Sequence, residues 1–219
     1  MRKKEGDKKT SILDAAVSVF AREGFDRAQI SAIAAEAGIG TGSVYLYFPN
    51  KEGILDGIFE RFWKQVLEAQ KEIGTRDPRA HLVAQLRVLF DALSHDRDMA
   101  TVYLRESHRN NARPQAPGNI ERATALALGE DTYLEGVAQG CFRGGLPMGL
   151  ARSFVFGGIR SALAWWLEPG ETVRPDPSND PESLRSNPEA FRERAIELAI
   201  SVLLPKGGTL MSTEQGFPS

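Results

Sequence analysis

Thr41, Ser43, Tyr45 and Tyr47 place hydroxyls at alternate positions of one short segment, and Lys51 follows with an ammonium. Hydroxyls can bond to phosphate oxygens and to base edges, and an ammonium can neutralise a phosphate, so the chemistry on offer is recognition of nucleic acid. A merely solvated helix face would carry Glu and Lys instead. Other chemistry finds little support. His81, His95 and His108 have no metal-ligand spacing with one another or with Cys141. No Gly-rich phosphate loop follows a strand, because strand patterns are almost absent. The fold class expected is all-α, without catalytic residues, metal or cofactor.

The elements that must position these groups lie in residues 29–51. Ile30, Ile33, Ala34 and Ala37 recur at helical spacing. Gly38 supplies a stop in the left-handed region, and Ile39 packs beneath the bend. Thr41 is expected to cap a second helix, Gly42 to Phe48, that buries Val44 and Phe48 and turns Ser43, Tyr45, Leu46 and Tyr47 outward. Pro49 ends it, and Asn50 caps the next helix at Lys51. A helix, a Gly-containing turn and a short hydroxyl-rich helix have the sequence form of a DNA-reading helix-turn-helix. Taken alone, the turn fits a plain helical hairpin equally well. The outward hydroxyls decide between them.

Upstream, residues 1–7 read as a mobile arm whose Lys3 and Lys4, with Lys8 and Lys9, can reach phosphates. A helix over residues 8–23 follows, with Ile12, Ala16, Val19 and Phe20 as its stripe. Downstream, a helix over 51–73 would be ~34 Å long, more than a three-helix unit needs, and would link a head to a second domain. Asp77-Pro78 starts the next helix, with a seam of Leu82, Leu86, Leu89 and Leu93. Further helices are expected over 97–110, 118–142, 149–167 and 189–204, and loops over 168–190 and 205–219. The 149–167 helix carries Gly157, Gly158, Ser161 and Ala162 about a turn apart, flanked by aromatics. Burial against a second subunit accounts for that composition. The domain organisation is therefore a head over 1–50, a larger helical unit over 51–204 and a disordered tail over 205–219.

Charged residues make up 26% of the 219 residues and hydrophobic ones 42%, ordinary for a globular chain. No window approaches the ~20 apolar residues of a membrane span, and the N-terminus lacks a signal-peptide core. A lone Cys141 suits a reducing cytoplasm and reads as a small buried hydrophobe. The net charge is −2, yet within residues 1–11 five basic residues face two acids, a mild basic footprint at one end.

The run Ala34-x-x-Ala37-Gly38-Ile39-x-x-Gly42-Ser43-Val44-Tyr45-x-Tyr47-Phe48-x-x-Lys51-x-x-Ile54-Leu55 resembles the DNA-binding domain of the TetR family of bacterial repressors. Gly24-Phe25 fits the same pattern. The match covers about residues 8–60, and beyond it only the helical layout is similar. Gln29 departs from the family's usual Thr, so a phosphate contact there would come from an amide. The resemblance implies that Thr41, Gly42, Ser43 and Tyr45 approach base edges or sugars, and that Tyr47, Lys51, Gln29 and Ser31 hold phosphates. Tyr45 has a core reading as an alternative. No Arg or Asn stands on the short helix for bidentate base reading, so Ser, Thr and methyl contacts plus DNA shape would carry specificity.

The same resemblance implies a homodimer bridging a palindromic double-stranded operator, since one short helix is a weak reader. The last two helices would form an intersubunit four-helix arrangement. The others would enclose a pocket for a small hydrophobic effector. Phe90, Tyr103, Phe156 and Trp166 are candidates for its wall, and each is equally at home as core. Arg105, Arg109 and Arg160 are candidates to meet an anionic ligand, with pairing to Glu106 or another acid as the alternative. Ala151-Arg152-x3-Phe156-Gly157 before Trp165 and Trp166 looks similar to the acyl-CoA-responsive branch, which makes a long-chain acyl-CoA one candidate effector. A ligand-responsive repressor is the reading. A helical carrier or enzyme for hydrophobic thioesters, and a helical scaffold, are its rivals.

Overall fold

The structure, a computed structural model, describes residues 5–113, 115–167 and 187–205. Helix α1 (Glu5–Glu23) turns Ile12, Ala16, Val19 and Phe20 into the core at the expected spacing, and begins inside the stretch read as an arm. Gly24 ends it at φ +80°, its N–H bonded to Phe20 O at 2.9 Å, and Phe25 folds back with its ring 5.2 Å from that of Phe20. Helix α2 (Ile30–Glu36) buries Ile33 and Ala34. Gly38, at φ +67°, closes the turn with N–H donated to Ala35 O, while Ile39 N–H reaches Ala34 O at 3.0 Å.

Helix α3 (Thr41–Tyr45) is shorter than expected. Gly40 is its N-cap, with Ser43 N–H on Gly40 O at 2.8 Å, and Thr41 is already helical and caps nothing through its hydroxyl. The early end has a local cause. Tyr47 and Phe48 both donate to Val44 O at 3.0 Å, tightening the last turn where Pro49 forbids the helical region to Phe48. Val44 and Phe48 remain buried in the core.

Helix α4 (Lys51–Lys71) starts at Asn50, whose Oδ1 accepts from Gly53 N–H at 2.8 Å. It runs out of the head with Ile54, Leu55, Ile58 and Phe59 buried first and Phe62, Trp63, Val66 and Leu67 beyond them. Helix α5 (Pro78–Ser94) is capped by Asp77 as the sequence expects, Ala80 N–H lying 2.7 Å from its Oδ1. Helices α6 (Arg97–Asn111), α7 (Asn119–Ala138), α8 (Met148–Leu167) and α9 (Pro188–Ser201) complete the described chain. α4 packs on α5 and α7, α9 on α5 and α8, and α6 on α1. α7 stops four residues short of the expected Phe142. Gly140 enters φ +77°, the amides of Cys141 and Phe142 return to Gly136 O, and the Phe142 ring stacks on Tyr133 at 5.9 Å. Cys141 there is only partly buried.

Among the described residues there is no strand, no helix long and apolar enough to cross a membrane, and no cluster of His, Cys, Asp or Glu able to hold a metal. Most of the expected 168–190 loop, the tail beyond Pro205 and the first four residues lie outside the described residues. α8 and α9 touch where Gly158 faces Ala199. Their other sides leave Leu150, Phe154 and Leu198 in solvent, and Gly157 opens onto free space beside them.

Candidate nucleic-acid interface and ligand cavity

The α2–α3 pair presents the head's polar groups. Gln29 is the N-cap of α2 but spends no side-chain bond on it, and Ser31 Oγ lies 3.5 Å from Gln29 Oε1. Both are exposed, as are Thr41, Gly42 and Tyr45, whereas Ser43 and Tyr47 are half-buried. Leu46, beside Tyr45, is 82% exposed, an unusual place for a leucine that the sequence pattern had already turned outward. Lys51 does structural work: its Nζ donates to Phe25 O at 2.8 Å and Asp26 O at 3.0 Å and sits 5.0 Å from the Phe25 ring centroid. It ties the loop after α1 to the start of α4. An ammonium has three donors, so one remains.

In the body, α4, α5, α7 and α8 leave an apolar cavity of about 50 Å³ between them. Trp63 and Gln70 of α4, Leu82, Gln85, Leu86 and Leu89 of α5, and Tyr133 of α7 form its inner wall. Phe156, Val155 and Met148 of α8 face them. Toward the outside, Leu126, Glu130 and Arg152 belong both to this cavity and to a polar cleft that adds Arg122, so the apolar space ends in a basic mouth. Arg152 pairs with Glu130 at 2.8 Å, and Arg122 Nε donates to Asn119 Oδ1 at 2.9 Å. Desolvation lowers the Arg122 guanidinium from its ordinary value; Tyr103 opposes this and the neighbouring charge of Arg152 adds to it.

Of the residues expected on the ligand wall, the cavity takes Phe156. Phe90 and Trp166 instead join Phe191 in an aromatic cluster between α5, α8 and α9, with ring centroids 5.7 and 6.4 Å from it. Tyr103 stands behind the wall, 6.3 Å from Trp63, and desolvation pushes its phenol above the usual range. The three arginines sit where α6 meets its neighbours. Arg105 donates to Ala21 O at the end of α1, and Arg160 to Leu104 O at 2.7 Å. Arg109 bridges Asp26 of the head at 2.7 Å and Glu106 at 2.8 Å, with its guanidinium 5.2 Å from the Phe25 ring centroid. The Arg105 and Arg109 contacts fasten the head to the body, and the Arg160 contact ties α8 to α6. Arg109→Ala is expected to lose about 2 kcal/mol of unfolding free energy by chemical denaturation, because buried Glu106 is left without its ion-pair partner.

The residues the sequence pattern did not single out are Gln70, Gln85 and Arg122. A readable signal existed for the glutamines: each interrupts an apolar stripe, Val66-Leu67-x-x-Gln70 and Leu82-x-x-Gln85-Leu86-x-x-Leu89.

A helix-turn-helix head joined by one long helix to a body with an internal cavity defines a one-component regulator, in which one chain both reads DNA and senses a ligand. Residues 12–58 match the family described as bacterial regulatory proteins, tetR family, and residues 59–171 match the YsiA-like protein C-terminal region. The chain belongs to the TetR family and is a ligand-responsive transcriptional repressor. It is 32% identical over 169 residues to the fatty acid metabolism regulator protein of Bacillus subtilis, covering 75% of this chain and 86% of that one. It is 28% identical to the repressor KstR2 of Rhodococcus jostii, covering 77% and 84% respectively. Among solved structures, FadR from Bacillus subtilis in complex with stearoyl-CoA superposes with a TM-score of 0.67 at 28% identity, covering 89% of this chain and 98% of that one. The homologues are transcriptional regulators.

Proposed function

We propose that this repressor acts in the cytoplasm as a homodimer on an inverted-repeat operator and is released from it by a long-chain acyl-CoA. The observation that carries the effector is the junction of an apolar cavity with a mouth holding Arg122 and Arg152. The apolar lining of the first suits an acyl chain, which has to widen the 50 Å³ space to enter, and the phosphates of coenzyme A suit the second, where an anion relieves the repulsion between two neighbouring guanidiniums. The likeness to a fatty acid regulator and to a stearoyl-CoA complex supports the same class.

Within this reading residues 1–50 contact DNA and 51–204 bind ligand and dimerise. Thr41, Gly42, Ser43 and Tyr45 meet base edges or sugars, with Leu46 available to a thymine methyl. Tyr47, Lys51, Gln29 and Ser31 hold phosphates, Lys51 through its remaining N–H. Exposed Phe154 and Leu198 lie in the subunit contact of α8 and α9.

Release follows from what touches α4. Arg113 forks onto Asp56, with Nη2–Oδ1 at 2.6 Å and Nη1–Oδ2 at 3.1 Å, and Gly118 rests on the backbone of Phe59 and Glu60. The α6–α7 connection therefore grips α4 between its head end and its cavity end. An acyl chain wedged among α4, α5, α7 and α8 moves α7 and takes α4 with it. The heads swing and no longer span two half-sites. A preference of ~3 kcal/mol for the released form gives a ~150-fold loss of DNA affinity.

The test is a titration of labelled inverted repeats from the protein's own promoter, at raised salt so that counterion release does not mask specificity. Hexadecanoyl-CoA should release the DNA, whereas free coenzyme A should not. Arg122→Ala combined with Arg152→Ala should raise the thioester's dissociation constant at least tenfold and leave DNA affinity within about twofold, since each lost charge-assisted bond is worth ~1.5–3 kcal/mol. Unchanged DNA affinity at saturating thioester would end the acyl-CoA reading.

A further inference from the structure

The wall of the cavity contains two side-chain amide oxygens that no donor among the described residues satisfies. Gln70 is 8% exposed and Gln85 4%, and among the described residues neither amide oxygen meets a donor. Of the other polar side chains on that wall, three have partners and the Trp63 indole N–H can only donate. Tyr133 donates its hydroxyl to Arg143 O at 2.8 Å, and Glu130 and Arg152 hold one another. Gly129 lies in front of Gln85, where a Cβ would stand 3.9 Å from Gln85 Oε1, in ordinary van der Waals contact. A buried acceptor without a donor is a standing penalty on the free protein, and at two positions of apolar stripes a leucine or methionine would remove it.

We infer that the effector's acyl chain carries a hydroxyl, and that Gln70 and Gln85 select the hydroxylated chain over the saturated one. The inference rests on the acyl-CoA reading above and specifies its substrate class. A carboxamide offers one acceptor and two donors, and can turn either end toward a ligand. A hydroxyl both donates and accepts, so it matches either orientation. A methylene matches neither and leaves the amide stranded in a now dry cavity, which is the stronger basis for discrimination: a site built for a hydroxyl rejects the analogue lacking it far more strongly than an apolar pocket rejects an added group. The two glutamines come from α4 and α5, so a ligand held by both joins the helix that bears the head to its neighbour in the body. Binding of the right chain and displacement of α4 are then one event.

The experiment is isothermal titration of the protein with hexadecanoyl-CoA, 3-hydroxyhexadecanoyl-CoA and 10-hydroxyhexadecanoyl-CoA, repeated with Gln70→Met/Gln85→Met. Methionine keeps the unbranched shape without the amide. The expected result is that at least one hydroxylated thioester binds tenfold or more tighter than the parent. In the double variant that preference should fall below twofold, with the parent bound at least as well as before. The variant's melting temperature without ligand should equal or exceed that of the native protein. Equal binding of all three thioesters by the native protein overturns the inference and leaves the acyl-CoA reading standing, as does a preference that survives in the variant. A variant that melts markedly lower shows that the amides are already satisfied in the free protein, and overturns it too. Binding of none of the three removes the acyl-CoA reading and this inference together.

Discussion

Gly118→Ala is expected to lower the unfolding free energy by more than about 3 kcal/mol, and the reason lies in what stands beside its Cα. Gly118 precedes α7 at φ +86°, and an added Cβ would lie 2.7 Å from both Cα and N of Glu60. The left-handed backbone alone costs an alanine ~1–2 kcal/mol. The collision adds to it, because the obstacle is the backbone of α4, which cannot rotate away as a side chain can. α7 must lift from α4, loosening the Arg113–Asp56 pair beside it and the packing around Phe59. For a chain of this size, 3 kcal/mol corresponds to a fall of roughly 6–12 °C in melting temperature. Gly140→Ala is the control: φ is +77° there, but nothing lies within 4 Å of the new Cβ, so strain acts alone. If the two variants melt together, α7 does not sit on α4 as closely as described, and the proposed grip on α4 loses its physical basis.

The parts of this molecule legible in the sequence are those decided by near neighbours. Asn50 and Asp77-Pro78 marked helix starts because a cap needs only a side chain three residues from its amide, and both caps form. Gly24 and Gly38 marked helix ends for the same local reason. The α7 end was misplaced because Gly136, Gly140, Gly144 and Gly145 crowd one stretch, and periodicity cannot say which of them turns left-handed. Gly140 (φ +77°) ends the helix and Gly145 (φ +79°) turns left-handed farther on, with Gly136 kept small by the Phe142 ring that folds onto it. In the head, the groups proposed for DNA lie within one short stretch of chain, so their types and order already described a surface.

The cavity is a different case. Its wall is drawn from four helices and Leu203, spread from Trp63 to Leu203, and no local rule places Gln70 and Gln85 on one wall. The arginines show the same boundary. The requirement that a guanidinium be paired held for Arg109, and Glu106, three residues away, could be named as its partner. Asp26, 83 residues distant, could not, although that contact helps join body to head.

The second large effect expected is on DNA binding, from substitutions far from the head. Phe154 and Leu198 are 59% and 61% exposed on α8 and α9, apolar side chains with no cover in the single chain. Scattered exposed leucines are ordinary, but these stand on two helices packed together, beside Leu150 and the open Gly157. If that face joins two copies, Phe154→Glu with Leu198→Glu sets carboxylates against their symmetry mates in an isologous contact, and the dimer separates. The monomer's own core is untouched, so its melting temperature at low concentration should not fall. Operator affinity should. α3 is a helix of one turn and its few contacts are weak alone, while a second head tethered at millimolar effective concentration multiplies affinity by ~10²–10⁴. The double variant should therefore sediment as a monomer and bind the inverted repeat at least a hundredfold more weakly, while affinity for an isolated half-site stays unchanged. Loss of half-site affinity as well would mean that the head itself was damaged. A variant that still sediments as a dimer would place the subunit contact elsewhere, and the heads would then have to be spaced by a different pair of helices.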